Sequence, residues 1–582
     1  MRKAKFLLCL SLLLALPGIA CAAIKVEITG VEGELRANVV TFLSVERNRD
    51  LKDIDQEMMT GLFNRVDREV RSALRPFGYY EPTVKSDFSG DAREWRVTIA
   101  IEPGTPVMIT AVSVKIEGPG ADDPVFESAR NQTLLREGMR LHHGLYEAVK
   151  GNLTRTAATN GYLRARLVRS EMPVDVAAHK AQIDLLLDTG PRYHFGAVNI
   201  DQKVIRSDLV KRFLRFHEGD PYSSTQLLRT QFALDDSLYF SSVEVSPGDP
   251  DPVTLTVPVT ITASKAKRTF TIAGGYGTDT SVRGTLGWTD TRVNDRGHRF
   301  RVELKASAVK QTFDARYDIP IGDPALEKFS IEALAKDEKS GDLDTKEYSV
   351  QPSITRVRDR WQYVYSLAAT HTSTIKGATD STSNLLVPGI TLASVPEGFL
   401  GEALFSRTFY IELIGSTKVL GSDSDFLRLH VQSERVFDFA DRWHLLTRAE
   451  AGASLVNNFD DLPGIYRFFA GGDRSVRGFA YNSLSPEELV VQADGTSKLQ
   501  KTGGRYLLVG SVEVARDLPH DLAGAVFFDA GNAFNKFGDP MEYSVGIGIR
   551  YRLPVVSLGL DIAQPLSTGG GPRLHLNISP KL

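Results

Sequence analysis

Cysteine is almost missing from these 582 residues, with only Cys9 and Cys21 near the N-terminus. The segment that carries both reads as an export signal. Arg2, Lys3 and Lys5 form a basic start, Phe6 to Leu16 an apolar stretch, and Ala20-Cys21-Ala22 a small-residue cleavage site. Residues 1–22 are therefore expected to leave as a signal peptide. Lipidation at Cys21 is the alternative, but Gly18 stands where a lipoprotein signal usually has leucine. The chain from residue 23 would then have no thiol and need no disulfide outside the cytoplasm.

Other absences narrow the class. After the signal no run of about 18 apolar residues occurs, which excludes a transmembrane helix. Neither sign of charge dominates: 69 Lys and Arg face 72 Asp and Glu, net −3, which argues against a nucleic-acid partner. HExxH, GxSxG, P-loop and CxxC motifs are all missing, and His142-His143 reads as a solvated loop pair rather than a metal site. The expectation is a protein that is not an enzyme and binds no cofactor or metal.

What the chain does have is repetition, then alternation. From residue 24 to about 265 one pattern recurs three times at a spacing near 80 residues. Each unit opens with a short strand: Ile24-Val26-Ile28, Val112-Val114-Ile116, then Val198-Ile200. Helical spacing follows, with Leu62, Val66, Val70 and Leu74 on one face of the first unit. Leu145, Val149 and Leu153 do the same in the second, and Leu227, Leu234 and Leu238 in the third. Each helix ends in an aromatic turn: Gly78-Tyr79-Tyr80, Gly161-Tyr162-Leu163, Ser237-Leu238-Tyr239-Phe240. Two further strands close each unit. The order strand–helix–helix–strand–strand resembles the polypeptide-transport-associated (POTRA) domain, giving POTRA 1 over 23–105, POTRA 2 over 106–190 and POTRA 3 over 191–265. Small mixed sheets of this kind keep edges that accept an extended peptide as an extra strand, though simple spacing is the plainer role.

From about Lys267 the period becomes two. Tyr543, Val545, Ile547, Ile549 and Tyr551 share one face, with Ser544, Gly546, Gly548 and Arg550 on the other; Leu574, Leu576 and Ile578 oppose Arg573, His575 and Asn577. Arginines beside glycines on one face and aromatics near the strand ends of the other fit a lipid-facing wall around a polar lumen. Residues 266–582 are thus expected to form a transmembrane β-barrel of about 16 antiparallel strands, at roughly 20 residues per strand and loop.

One stretch does not alternate. Gly471-Gly472-Asp473-Arg474-Ser475-Val476-Arg477-Gly478-Phe479 reads as an ordered loop, predicted to fold into the lumen as part of 464–485. Arg477 is expected to pair with Asp529 on the wall, since its planar fork binds a carboxylate bidentately. Gly478 would permit the turn, and Gly531 the approach to the wall. Without the loop, Asp529 would read simply as a wetted lumenal acid.

Val476-Arg477-Gly478-Phe479, Phe527-Phe528-Asp529-Ala530-Gly531 and Asp561-Ile562-Ala563-Gln564-Pro565-Leu566 together resemble signature segments of the outer-membrane insertase superfamily. That resemblance implies periplasmic POTRA domains, a 16-stranded barrel and the Arg477–Asp529 contact. Three repeats at this length look like its translocation-and-assembly-module branch, although Ser579 replaces an expected glycine. The implied partners are unfolded outer-membrane protein clients, outer-membrane lipid and a TamB-like inner-membrane-anchored subunit met by POTRA 1. The implied mechanism is sideways opening of a seam between Phe270, Ile272, Gly274 and Tyr276 on the first strand and Leu574, Leu576 and Ile578 on the last. Gly569-Gly570-Gly571-Pro572 and Pro580 would leave few ladder bonds there. The alternative is a polypeptide exporter of the two-partner secretion type, with clients passing through the lumen.

Overall fold

The computed structural model describes residues 24–51, 54–91, 94–128, 134–395, 409–552 and 556–580. The expected signal peptide and both cysteines fall outside these. No described helix is long and apolar enough to cross a membrane, which says nothing of strands. The chain forms two compact units: residues 1–197, 218–225 and 248–258 in one, and 198–217, 226–247 and 259–582 in the other.

In the first repeat Ile24–Thr29 pairs in parallel with Glu94–Glu102, which pairs antiparallel with Thr83–Asp91. Trp95, Val97, Ile99 and Ile101 alternate inward from the central strand. The second repeat repeats this order, with Met108–Glu117 parallel to Lys180–Asp188, which is antiparallel to Arg166–Glu171. In the third, the sheet order is His194–Asp201, Thr256–Lys265, Phe240–Pro247. In every repeat the last strand occupies the centre and leaves two edges.

The helices differ from expectation in two places. Leu62, Val66, Val70 and Leu74 are all buried, but on two helices, Gln56–Phe63 and Val66–Leu74, because the chain breaks at Asn64-Arg65. Leu238 does not share the buried face of Leu227 and Leu234. Helix Ser224–Asp235 has already ended, and Leu238 sits in the left-handed region at φ 58°, 57% exposed. It occupies the turn position held by Gly78 (φ 85°) and Gly161 (φ 91°), where a side chain is strained.

These turns are the joints of the chain. The Gly78 carbonyl accepts the Val107 N–H (2.8 Å), whose own carbonyl accepts from Leu141 (2.9 Å). One repeat later Gly161 accepts from Tyr193 (2.8 Å), and Tyr193 from Tyr222 (3.0 Å). At the third turn Tyr239 takes the same role toward the barrel. Its hydroxyl donates to the Gly297 carbonyl (2.6 Å), and Arg299 lies 4.5 Å over its ring while donating to the Ser237 carbonyl (2.6 Å). Arg215 pairs with Asp323, and Arg212 donates to the Gly322 carbonyl (2.8 Å), so this end of the third repeat is fastened to two barrel turns.

Residues 269–580 form a closed barrel of sixteen antiparallel strands. The wall is uneven in height. Leu343–Arg358, Trp361–Lys376 and Thr379–Ser394 run 16 residues each, whereas the first strand, Thr269–Gly277, has nine and the last, Arg573–Pro580, eight. Tyr543, Val545, Ile547, Ile549 and Tyr551 face outward and are exposed, while Ser544 and Asp529 face inward and are buried. The excursion into the lumen is longer than 464–485. It spans 457–505, between strands Trp443–Val456 and Tyr506–Leu518, and contains its own hairpin, Glu487–Val491 with Ser497–Lys501.

Candidate functional site

The lumenal loop begins with a backbone only glycine adopts easily. Gly471 and Gly472 have φ of 99° and 108°, and a Cβ on Gly471 would lie 2.4 Å from the Ala480 carbonyl oxygen. The loop then packs Phe468, Ala470, Val476 and Leu484 against Leu507, Val509 and Ala533 of the wall. An apolar lumen wall is unexpected from alternation. The signal was the unbroken Tyr506-Leu507-Leu508-Val509 run, apolar on both faces of its strand.

That packing carries Arg477 to 1% exposure, against Asp529 at 0%. Its Nε and Nη2 donate to the two oxygens of Asp529 (2.9 and 2.8 Å), and its backbone N–H donates to the same carboxylate (3.0 Å). Nη1 donates to Glu513 (2.6 Å) and Nη2 also to Ser511 (3.2 Å), while the guanidinium lies 3.2 Å from the centroid of Phe527. Ser511 and Ser544 donate to Asp529 at 2.7 and 3.3 Å. Arg550 closes the network by pairing with Asp561 (2.5 and 2.9 Å) and approaching Glu513 (3.7 Å). A buried guanidinium is tolerable only when its charge and donors are met, and here they are.

Gly478 has no room for a side chain, since a Cβ would sit 2.6 Å from the Ser544 Cβ and 3.1 Å from Pro565 backbone atoms. Gly531 serves another purpose than predicted. The atoms nearest its missing Cβ are the Leu508 carbonyl and Val509, at 2.8 Å, so it accommodates the adjacent strand and not the loop. Val476 is buried in the loop's apolar cluster, with Phe479 packed on it. Glu513, Ser511, Ser544 and Arg550 were not singled out from sequence; their inward parity was legible, their shared height on the wall was not.

The seam is narrower than predicted. Of its seven expected residues only Tyr276 and Ile578 oppose one another, and Gly277 with Asn577 completes the ladder. Phe270, Ile272 and Gly274 pair with the second strand, Ser281–Asp290, and have no ladder partner in the last strand. Leu574 and Leu576 pair with Ile562 and Leu560 on the preceding strand, which shares eight residue pairs with the last. His142 and His143 have structural partners: His142 Nδ1 accepts the Leu145 N–H at a helix start, and His143 meets the Tyr80 hydroxyl at 2.8 Å.

Residues 404–579 match the Omp85 superfamily domain, and residues 25–103 match the POTRA domain described as TamA domain 1. Residues 193–263 match the surface antigen variable number repeat, a POTRA domain. Over those segments the chain carries an Omp85 superfamily domain preceded by POTRA domains. As an Omp85 barrel it resides in the outer membrane, with its POTRA domains in the periplasm. It is similar to the outer membrane protein assembly factor BamA of Nitratidesulfovibrio vulgaris, 25% identical over 399 residues that cover 64% of this chain and 48% of the relative. The chain thus spans about half the length of that curated relative. Among solved structures, BamA from Haemophilus ducreyi lacking POTRA domains 1–3 matches with a TM-score of 0.64 at 16% identity. That match covers 81% of this chain and 99% of the other, and it shows the fold. CdiB from Escherichia coli aligns over 90% of this chain and 97% of its own, at 14% identity and a TM-score of 0.44.

Proposed function

We propose that this chain is an outer-membrane assembly factor of the TamA type. It inserts and folds client β-barrel proteins such as autotransporters, without covalent chemistry or a cofactor. The observation that carries this reading is a closed barrel with one deficient seam. Two residue pairs join the first and last strands, and residues 269–275 of the first strand lie outside that ladder. A strand entering hydrocarbon must bring satisfied N–H and C=O groups, and an underpaired edge that opens onto lipid supplies their partners. The lumen is occupied by the chain's own loop, which disfavours the alternative of export through the bore. The match of residues 25–103 to a TamA POTRA domain supports a TamB-like inner-membrane-anchored partner, received at an edge strand such as Thr83–Asp91.

The test is a disulfide between Tyr276→Cys and Ile578→Cys, the opposed pair of the seam. Proteoliposomes carrying the oxidised protein are expected to lose client insertion, and reductant to restore it. Insertion at the unlocked rate with the bond fully formed overturns the proposal.

A further inference from the structure

The weak ladder at the seam is supplemented from within the lumen. Arg283 of the second strand reaches past Gly275 and donates to the Asn577 side chain (2.8 Å) and the Ile578 carbonyl (3.3 Å). A Cβ on Gly275 would lie 2.7 Å from that carbonyl oxygen and 2.8 Å from Arg283 Nε, so the first strand is bare there to let the guanidinium cross. The Thr278 N–H, in the turn after the first strand, donates to the Leu576 carbonyl (3.1 Å).

The lumenal loop touches both sides of this seam. On the first-strand side, Asp279 in the turn between strands one and two accepts the Asp473 N–H (2.7 Å). On the last-strand side, His575 lies 2.6 Å from the Arg477 carbonyl oxygen. A carbonyl only accepts, so His575 Nε2 carries the hydrogen and donates. Among the described residues the other ring nitrogen has no hydrogen-bond partner, and it points at the Asp279 carboxylate, 3.7 Å away, with both side chains 5% exposed or less. One short stretch of loop, residues 473–477, is therefore tied at one end to the first hairpin and at the other to the last strand. The two tying side chains also face each other.

We infer that Asp279 and His575 are positioning residues that make the docked loop the inner latch of the seam. Opening the seam and lifting the Arg477 loop from the wall are then one event. The inference deepens the proposed function, resting on it only for the use to which the opening is put. Separating Asn577 from Gly277 draws His575 away from Arg477, whose guanidinium is held by Asp529 and Glu513; displacing Arg477 removes the partner that holds His575.

Hydrogen exchange on the full-length protein in lipid nanodiscs tests this without any client. His575→Ala is expected to speed exchange by roughly tenfold or more at amides of both 573–580 and 473–479, leaving strand Trp361–Lys376 unchanged. His575→Gln, which keeps a donor near the same place, is expected to return both segments toward the parent rate. Arg477→Ala, a change on the loop alone, is expected to speed exchange in the last strand as well. Should His575→Ala not fold, Asp279→Ala, in the turn between strands one and two, reads the same coupling. Loosening of one segment with the other at its parent rate, in whichever variant folds, overturns the latch. If that occurs while the Tyr276–Ile578 disulfide still blocks insertion, the proposed function stands and only the latch is lost. Coupled exchange together with normal insertion by the disulfide-locked protein upholds the latch and removes the proposed function.

Discussion

Arg477 keeps a full charge in a site that excludes water, and its geometry dictates what replacement does. Arg477→Ala leaves Asp529 buried without the guanidinium that meets both its oxygens, and Glu513 with Arg550 only at 3.7 Å, at a cost of about 3–5 kcal/mol. Asp529→Ala removes the two-pronged partner and leaves the guanidinium on Glu513 and Ser511 alone, which is also expected to destabilise the barrel. The double variant removes both charges and is expected to lose less than the sum, by more than ~1 kcal/mol in a double-mutant cycle on barrel unfolding. Additive losses would show that the two side chains do not act as a pair. Arg477→Lys is expected to behave like the alanine variant, because a point charge cannot make the two-pronged contact. Arg477 and Asp529 were readable as partners because a charged loop flanked by glycines and an inward acid each demand an explanation. Asp279 and His575 were not: strand parity gives the direction a side chain points, but not which residues around a cylinder share a level.

At the scale of the element, the joints between repeats are where local sequence becomes long-range order. At the second joint, Asp123 accepts from the Tyr162 hydroxyl (2.6 Å), from Arg192 (2.8 Å) and from the Val125 N–H (3.0 Å). Burial pushes the Asp123 carboxyl up, but the Tyr162 and Val125 donors and the Arg192 charge outweigh it, so it sits below the ordinary aspartate range. Burial and the bond to Asp123 push Tyr162 up to about 12. A depressed carboxylate contributes stability that is complete above its unfolded value, near ~4, and is lost as pH falls through the folded value. Acidification below ~4 is therefore expected to loosen this joint. Spin-label distances across it should broaden in the parent, while Asp123→Asn should be broad already at neutral pH. An acid-insensitive parent distance would remove Asp123 from the joint. The repeat itself was legible at element scale from its spacing and aromatic turns. The helix break at Asn64-Arg65 was not, since a four-residue spacing continues in sequence across the break. Leu238 was misplaced because the period of its helix carries on in sequence after the helix has stopped.

At the scale of the whole molecule, the unequal wall is the feature with mechanical weight. Eight residues at about 3.3 Å each, tilted by about 45°, give the last strand a height of roughly 20 Å, less than the ~25 Å apolar band of an ordinary barrel. A bilayer that thins beside the seam would cover it. Client insertion with the protein, divided by insertion into bare vesicles, is expected to rise as the lipid acyl chains lengthen, because the thin patch matters most where the surrounding bilayer is thickest. A ratio independent of chain length would show that the short wall has no such effect. Strand number and closure followed from period and length alone. The difference in height did not, because strands on the tall side continue past the apolar band with residues that read as loop.

The hairpin at the end of the lumenal excursion has a consequence for direction. Its Val491 carbonyl accepts from Ala378, its Lys501 exchanges backbone and side-chain bonds with Asp342, and Glu488 pairs with Lys376. Those tips belong to the ends of the tall strands opposite the turns that hold Tyr239 and Arg215. A molecule approaching from the exterior medium meets a patch whose main chain is already bonded to its neighbours. The POTRA sheets keep borders still able to bond, so the proposed function would run with a built-in polarity, outward and sideways.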